Sequence, residues 1–182
     1  MLEKLRGWLV GAPPAALRLY GEAVAQARQR QLYAGYSVPD TLDGRVEMLV
    51  LHVHLLCRRL ARCGPDGGRI AQSLFDTMFR DFDRNLREMG VSDPSLPKRI
   101  RDMVEAYYGR VGAYEAASEA GADALGAVFL RNVYTTSGDV AAAARLAEYA
   151  IAQRLALDHA ADSDIASGRF RFRPLDGEDA TP

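Results

Sequence analysis

The stretch TLDGRVEMLVLHVHLLCRRLAR, Thr41 to Arg62, carries the reading of the fold. Leu42, Val46, Leu49, Val53, Leu56 and Leu60 recur at steps of three and four, the spacing of one helix face. Met48, Val50, Leu51 and Leu55 fill much of the other side, and a helix apolar nearly all round is buried on several faces. Thr41 is placed to cap the N-terminus, because its hydroxyl can accept one of the unpaired N–H groups of the first turn. Asp43 follows where a carboxylate suits the helix dipole. The apolar run from Met48 to Cys57 falls short of the about 20 residues that cross a bilayer. Arg45, Glu47, Arg58, Arg59 and Arg62 close it off at both ends. Residues 41–62 therefore read as the central core helix of a soluble bundle.

Working outward, Pro13-Pro14 suits a first helical turn, where a missing N–H costs nothing, and a helix is predicted from there to about Tyr33. After the central helix, Gly64-Pro65-Asp66-Gly67-Gly68 reads as a break, and the next helix is predicted over 69–89. Asp76–Arg80, Asp83–Arg87 and Arg84–Glu88 are spaced i,i+4 on it. Further helices are predicted over 97–119, 122–134 and 140–159, the last capped by Asp139. Gly109 and Gly112 lie inside the fourth helix, each costing about 1 kcal/mol against alanine, which leads us to expect a close helix–helix approach there. Arg169-Phe170-Arg171-Phe172-Arg173 alternates charge and aromatic, the period of an extended strand: either an arm packed on the bundle or a docking tail. Asp176, Glu178 and Asp179 make the end acidic and of disordered character. The expected architecture is all-α, a bundle of about six helices over 1–162, with an extended arm and tail over 163–182. The start, with Leu2, Leu5, Trp8 and Leu9 apolar and Lys4 and Arg6 cationic, reads as an amphipathic segment for an anionic membrane surface, or as a terminus packed on the bundle or frayed.

At 182 residues the chain can bury a core without disulfide or metal. Cys57 and Cys63 sit six apart on one predicted helix, about 9 Å along its axis, too far for a disulfide. The 23 Lys and Arg nearly balance 24 Asp and Glu, which argues against a role on bare nucleic acid.

Chemistry is sparse. His52 and His54, two apart on a helix, point about 200° away from each other and cannot share a metal; each reads as a histidine bonded to a neighbour, with a single haem ligand as the alternative. No Cys-x-x-Cys pair, zinc-type His–Glu motif or phosphate-binding glycine loop occurs, and the carboxylates of 76–88 lack the Glu-x-x-His of di-iron bundles. No catalytic residue, metal or cofactor is expected. What remains is apolar surface: Phe75, Met78, Phe79, Phe82 and Met89, followed by Met103, Tyr107 and Tyr108, are adaptable side chains that suit either core packing or a groove for varied apolar ligands.

Val38-Pro39-Asp40-Thr41-Leu42-Asp43-Gly44-Arg45, Leu49-Val50-Leu51-His52-Val53, Leu74-Phe75-Asp76-Thr77-Met78-Phe79, Asp83-Arg84-Asn85-Leu86-Arg87-Glu88-Met89-Gly90-Val91, Lys98-Arg99-Ile100 and Ala106-Tyr107-Tyr108-Gly109-Arg110 resemble the ubiquinol–cytochrome c chaperone family. The resemblance is close over about 33–114 and looser to about Leu157. It implies a non-enzymatic assembly factor for ubiquinol–cytochrome c reductase, respiratory complex III, that binds newly made cytochrome b. It also implies proximity to the ribosomal tunnel exit and a small partner protein. The chain looks like a bacterial member, placed in the cytoplasm and peripheral on the inner face of the inner membrane. On this reading Phe75, Met78, Phe79, Phe82, Tyr107 and Tyr108 form the client groove. Asp40, Asp43, Arg45 and Arg110 tie the entry loop to the bundle, and Arg87 and Glu88 form its rim. Arg58, Arg59, Arg62, Arg69, Lys98, Arg99 and Arg101 would face the ribosome. Two alternatives stand beside it: a helical haem- or quinone-binding protein using His52 or His54, and a ribosome-docking adaptor without client binding.

Overall fold

The computed structural model describes residues 12–92 and 94–175. Among these, six helices have eleven residues or more: α1 (Pro14–Ala27), α3 (Leu42–Leu60), α4 (Gly64–Glu88), α5 (Leu96–Ala120), α6 (Ala122–Asn132) and α7 (Val140–His159). Two single-turn helices, α2 (Arg30–Ala34) and α8 (Asp162–Ala166), complete the set. No strand occurs among the described residues. The amphipathic start, through residue 11, and the acidic tail from residue 176 lie outside them.

α3 is the hub. Thr41 caps it, its Oγ1 accepting from the Gly44 N–H at 3.2 Å. Met48, Val53, Leu56 and Leu60 are fully buried, each contributing about 1.5–3 kcal/mol on leaving water. α1, α4, α5, α7 and α8 all pack against it. Gly44 is required by space: a Cβ there would meet the Pro39 carbonyl oxygen at 2.0 Å. Gly67 is required likewise, because its Cβ would fall 2.2 Å from the Leu60 carbonyl oxygen where α4 starts against the end of α3.

Four expectations are corrected. The helix predicted to reach Tyr33 stops at Ala27, where Gln29 turns extended (ψ 124°). The break buries Leu32 and lets the Tyr33 hydroxyl donate to the Ala27 carbonyl at 2.6 Å, satisfying a helix-end acceptor. Gly64 to Gly68, read as the break before a helix starting at residue 69, instead opens α4 itself. Gly64 supplies the positive φ (71°) that reverses the chain, and Pro65 needs no N–H partner there. Gly109 and Gly112 face open space, with nothing within 4 Å of a built Cβ. The close approach falls instead at Gly126, whose Cβ would lie 3.6 Å from the Ala143 and Ala144 backbone, where α6 packs on the alanine-rich α7. Finally, Arg84 pairs with Asp81 rather than with Glu88.

The Arg-Phe alternation does make an extended arm, and the arm is packed. Phe172 is buried edge-on to His52 with ring centres 4.9 Å apart, while Arg169, Arg171 and Arg173 point outward. Side chains take the part of a neighbouring strand. Glu22 accepts the Phe172 N–H at 3.1 Å. Gln153 accepts from the Arg173 N–H at 2.8 Å and donates to its carbonyl at 2.9 Å.

α5 is unusual for its length. Of its 25 residues only Leu96, Tyr107, Tyr114 and Ala117 are buried. Its C-terminal half lies on α6 and α3, with Tyr114 against Phe129 at 5.2 Å. Leu96, at its start, is buried apart from the main core, as is Leu86 near the end of α4. Ahead of Tyr107, the N-terminal half packs on the core only through half-buried side chains, Ile100, Met103 and Val104, and a groove runs beside it.

Candidate functional site

That groove, of about 1210 Å³, is bounded by the first half of α3, the second half of α4 and the first half of α5, with α1 closing one end. Its apolar floor comes from Leu42, Val46, Leu49 and Val50 of α3, Phe82 and Leu86 of α4, and Met103 and Tyr107 of α5. Met89 lies at one lip. Leu42 and Met89 are 60% and 55% exposed, apolar side chains left in water along one cleft. Charges ring the floor: Asp43, Arg45, Glu88, Lys98, Arg99 and Asp102 all line it.

One charge lies in the floor itself. Glu47 is buried on α3, its Oε1 2.5 Å from Arg110 Nε and its Oε2 accepting from the Tyr114 hydroxyl at 3.2 Å. Burial pushes its carboxyl above the usual range, opposed by the Arg110 guanidinium and the Tyr114 hydroxyl. A carboxylate in such a place is tolerated because both oxygens have partners.

The expected site residues divide. Phe82, Tyr107, Asp43, Arg45, Glu88 and Arg110 line the groove, together with Lys98 and Arg99. Phe75, Phe79 and Tyr108 do not: with Tyr107 they form the aromatic seam between α4 and α5, Phe75 lying 4.7 Å from Phe79, 5.1 Å from Tyr107 and 5.8 Å from Tyr108. Tyr108 stands 61% exposed on the outer side of the seam. Met78 is fully buried in the core. Asp40 holds Arg45 at 2.7 Å beside the groove, with the guanidinium over the Tyr33 ring, and Arg87 pairs with Asp83 at 2.9 Å.

Arg58 and Arg59 are not surface charges. Arg58 joins Glu115 at 3.1 Å and Asp158 at 3.0 Å. Arg59, buried, donates to the Leu157 carbonyl at 2.8 Å and the Ala160 carbonyl at 2.7 Å, capping the end of α7, and reaches Asp162 at 2.5 Å. Arg62 and Arg69 are exposed but paired with Asp158 and Asp66. Lys98, Arg99 and Arg101 remain as exposed cations on α5.

His52 offers nothing to a haem iron. Its Nδ1 lies 2.6 Å from the Met48 carbonyl oxygen, which can only accept, so Nδ1 carries the proton. Nε2 then accepts from the Tyr149 hydroxyl at 2.7 Å, and that oxygen accepts from Gln26 at 2.9 Å. His54 is buried with its Nε2 3.5 Å from Glu115. Burial pushes both histidines down to about 4, so they stay neutral. Burial pushes the Cys57 thiol up to about 12, which leaves it inert. No group of three potential metal ligands occurs among the described residues.

The floor residues of α3, and Glu47 with them, were not anticipated as a site. The available signal was an ionisable residue set among the apolar positions of the hub helix, with Leu42 apolar in a first turn.

The ubiquinol-cytochrome C chaperone family profile matches residues 35–172. The chain is 27% identical to ubiquinol-cytochrome-c reductase complex assembly factor 1 of Xenopus laevis, over 91% of this chain and 84% of that protein. It is 26% identical to the mouse factor of the same name, over 88% of this chain and 55% of that one. It thus spans most of the frog protein and about half of the mouse one. Among solved structures, the crystal structure of the Cbp3 homolog from Brucella abortus superposes with a TM-score of 0.84 at 37% identity, covering 98% of this chain and 99% of that one. With the profile spanning most of the bundle and the whole fold shared, the chain belongs to the ubiquinol-cytochrome C chaperone family.

Proposed function

We propose that this complex III assembly chaperone binds newly made cytochrome b, seating an amphipathic segment of it in the α3–α4–α5 groove. The observation that carries the reading is the pairing of an apolar floor with a charged rim. An apolar helix face would cover Leu42, Val46, Leu49 and Met89, and its flanking polar residues would meet Lys98, Arg99, Asp43 and Glu88. This is helix-in-groove recognition, with anchors at helical spacing. At about 1210 Å³ the cleft exceeds the about 300–1,000 Å³ typical of small-molecule pockets, and Met89 and Met103 lend it adaptability. The role needs no covalent step.

Photo-crosslinking in cells from Met89 and Leu42, with Leu155 on α7 as an exposed control, tests the assignment. Capture of cytochrome b from the first two positions and not from Leu155 supports it; capture from none of them removes the groove as the client site.

The surroundings of the reading follow the same chemistry. No described helix is long and apolar enough to cross a membrane, and a peripheral position on the inner face of a bacterial inner membrane would meet the client as it emerges. Likeness to a Brucella protein supports the bacterial part of that setting. Lys98, Arg99 and Arg101 are the cations available for a ribosome near its tunnel exit; salt-sensitive cosedimentation, lost when all three become glutamate, is the expected result. A small helper protein is the remaining proposed partner, checked by co-purification.

A further inference from the structure

Two glycines lie inside α5 at Gly109 and Gly112, where neither a turn nor a close approach requires them. Both φ values are ordinary, and a Cβ at either would meet nothing within 4 Å. Packing therefore does not account for them, although glycine in a helix interior weakens the local backbone. Their position does. They fall between two aromatic anchors: Tyr107, on Phe75 and Phe79 of α4, and Tyr114, on Phe129 of α6 and Glu47 of α3. Ahead of them α5 lies on α4, with Leu96 the other buried side chain of that half and itself outside the main core; Ile100, Met103 and Val104 rest half-buried on the core, and the Tyr107 hydroxyl meets Cys57 of α3, contacts that an opening has to release. Behind them α5 is fixed to α6 and α3. The one residue of this short stretch tied across the groove is Arg110, bound to the buried Glu47 at 2.5 Å.

We propose that α5 is a hinged wall: it bends at Gly109–Gly112, its N-terminal half swings away from α3 to open the groove, and the Arg110–Glu47 ion pair latches it shut. The purpose of the motion rests on the client groove proposed above; its geometry does not. Hinges are a few positions that absorb backbone change while the flanking segments move as rigid bodies, and glycine pairs are recognised sites of helix bending. In the closed form Glu47 has Arg110 as its counter-charge. A client segment entering the groove has to displace or bridge that pair, which couples opening to occupancy.

Spin labels introduced as non-natural amino acids at Arg101, on the moving half, and Glu148, on α7, read the motion in the full chain without a client and leave both cysteines native. The expected result is a main distance with a second, longer population. That population grows in Glu47→Gln and in Arg110→Gln, which remove the latch in different ways, and disappears in the double variant Gly109→Ala/Gly112→Ala. One narrow distribution shared by wild type, latch variants and the alanine pair overturns the hinge, as does a longer population that survives the alanine pair. If the distances move as expected while Met89 captures no cytochrome b, the hinge stands and the client assignment falls.

Discussion

His52 shows how tightly single residues are committed. Its ring is held by Met48, Tyr149 and the edge of Phe172, and its tautomer follows from the carbonyl it faces. Because burial holds His52 and His54 down at about 4 in the folded chain, against an ordinary value near 6.5, the unfolded chain takes up their protons first. Their stabilising contribution is complete above pH 6.5 and is lost as the pH falls towards 4. The slope is about 1.4 kcal/mol per pH unit for each histidine. Glu47 works in the opposite sense, since its raised pKa favours proton uptake by the folded state and offsets part of the loss. Thermal melts at pH 7 and pH 5 are expected to show a lower midpoint at pH 5, and His54→Phe a shallower dependence. Arg59 is the second committed residue. Arg59→Ala is expected to cost roughly 2–3 kcal/mol, through the bonds it gives to the end of α7, read as a shift in urea midpoint. Its place in a run of cations, Arg58-Arg59-Arg62, reads as surface charge, because sequence shows the sign of a group and not what closes over it.

The helices themselves were largely legible. α3 and α7 begin at the expected caps, Thr41 and Asp139, because a cap is a local hydrogen bond between neighbours in the chain. The misplaced ends are those decided by remote partners. α1 stops where the chain must turn to bury Leu32, and α4 starts early because Gly67 fits under the Leu60 carbonyl. The glycines of α5 make the sharpest test. Gly109→Ala/Gly112→Ala is expected to stabilise the fold by about 1–2 kcal/mol, since helix propensity improves and no clash is introduced. That corresponds to a rise in thermal midpoint of about 2–4 °C per kcal/mol for a domain of this size. The arm gives the reverse case. Phe172→Ala empties the site over His52 and is expected to cost about 3 kcal/mol, read as a fall in the melting midpoint. Its alternation announced extended backbone, but the acceptors and donors that hold it, Glu22 and Gln153, come from helices far away in sequence.

Taken whole, the molecule is a bundle assembled on α3, with one wall only partly docked. The groove exists because α5 is long and its first half buries little, so α3 keeps an apolar face, Leu42 to Val50, that another helix would otherwise cover. Met89→Asp and Leu42→Asp place charge on side chains already exposed; each is expected to leave the stability within about 0.5 kcal/mol of wild type while reducing cytochrome b capture several-fold. A loss of both capture and fold would assign these residues to the core instead. Helical class, the identity of the hub and the absence of a recognised catalytic motif could be read along the chain, because periodicity, caps and ligand spacing are local properties. The family resemblance was legible too, from ordered segments between Val38 and Arg110. Which aromatic residues face solvent, which arginines are neutralised and where the groove runs depend on helices meeting side by side. Phe75, Phe79 and Phe82 share a helix and a chemistry, yet only Phe82 reaches the cleft. Periodicity assigns a residue to a face of its helix, and only the packing of α3, α4 and α5 settles what that face meets.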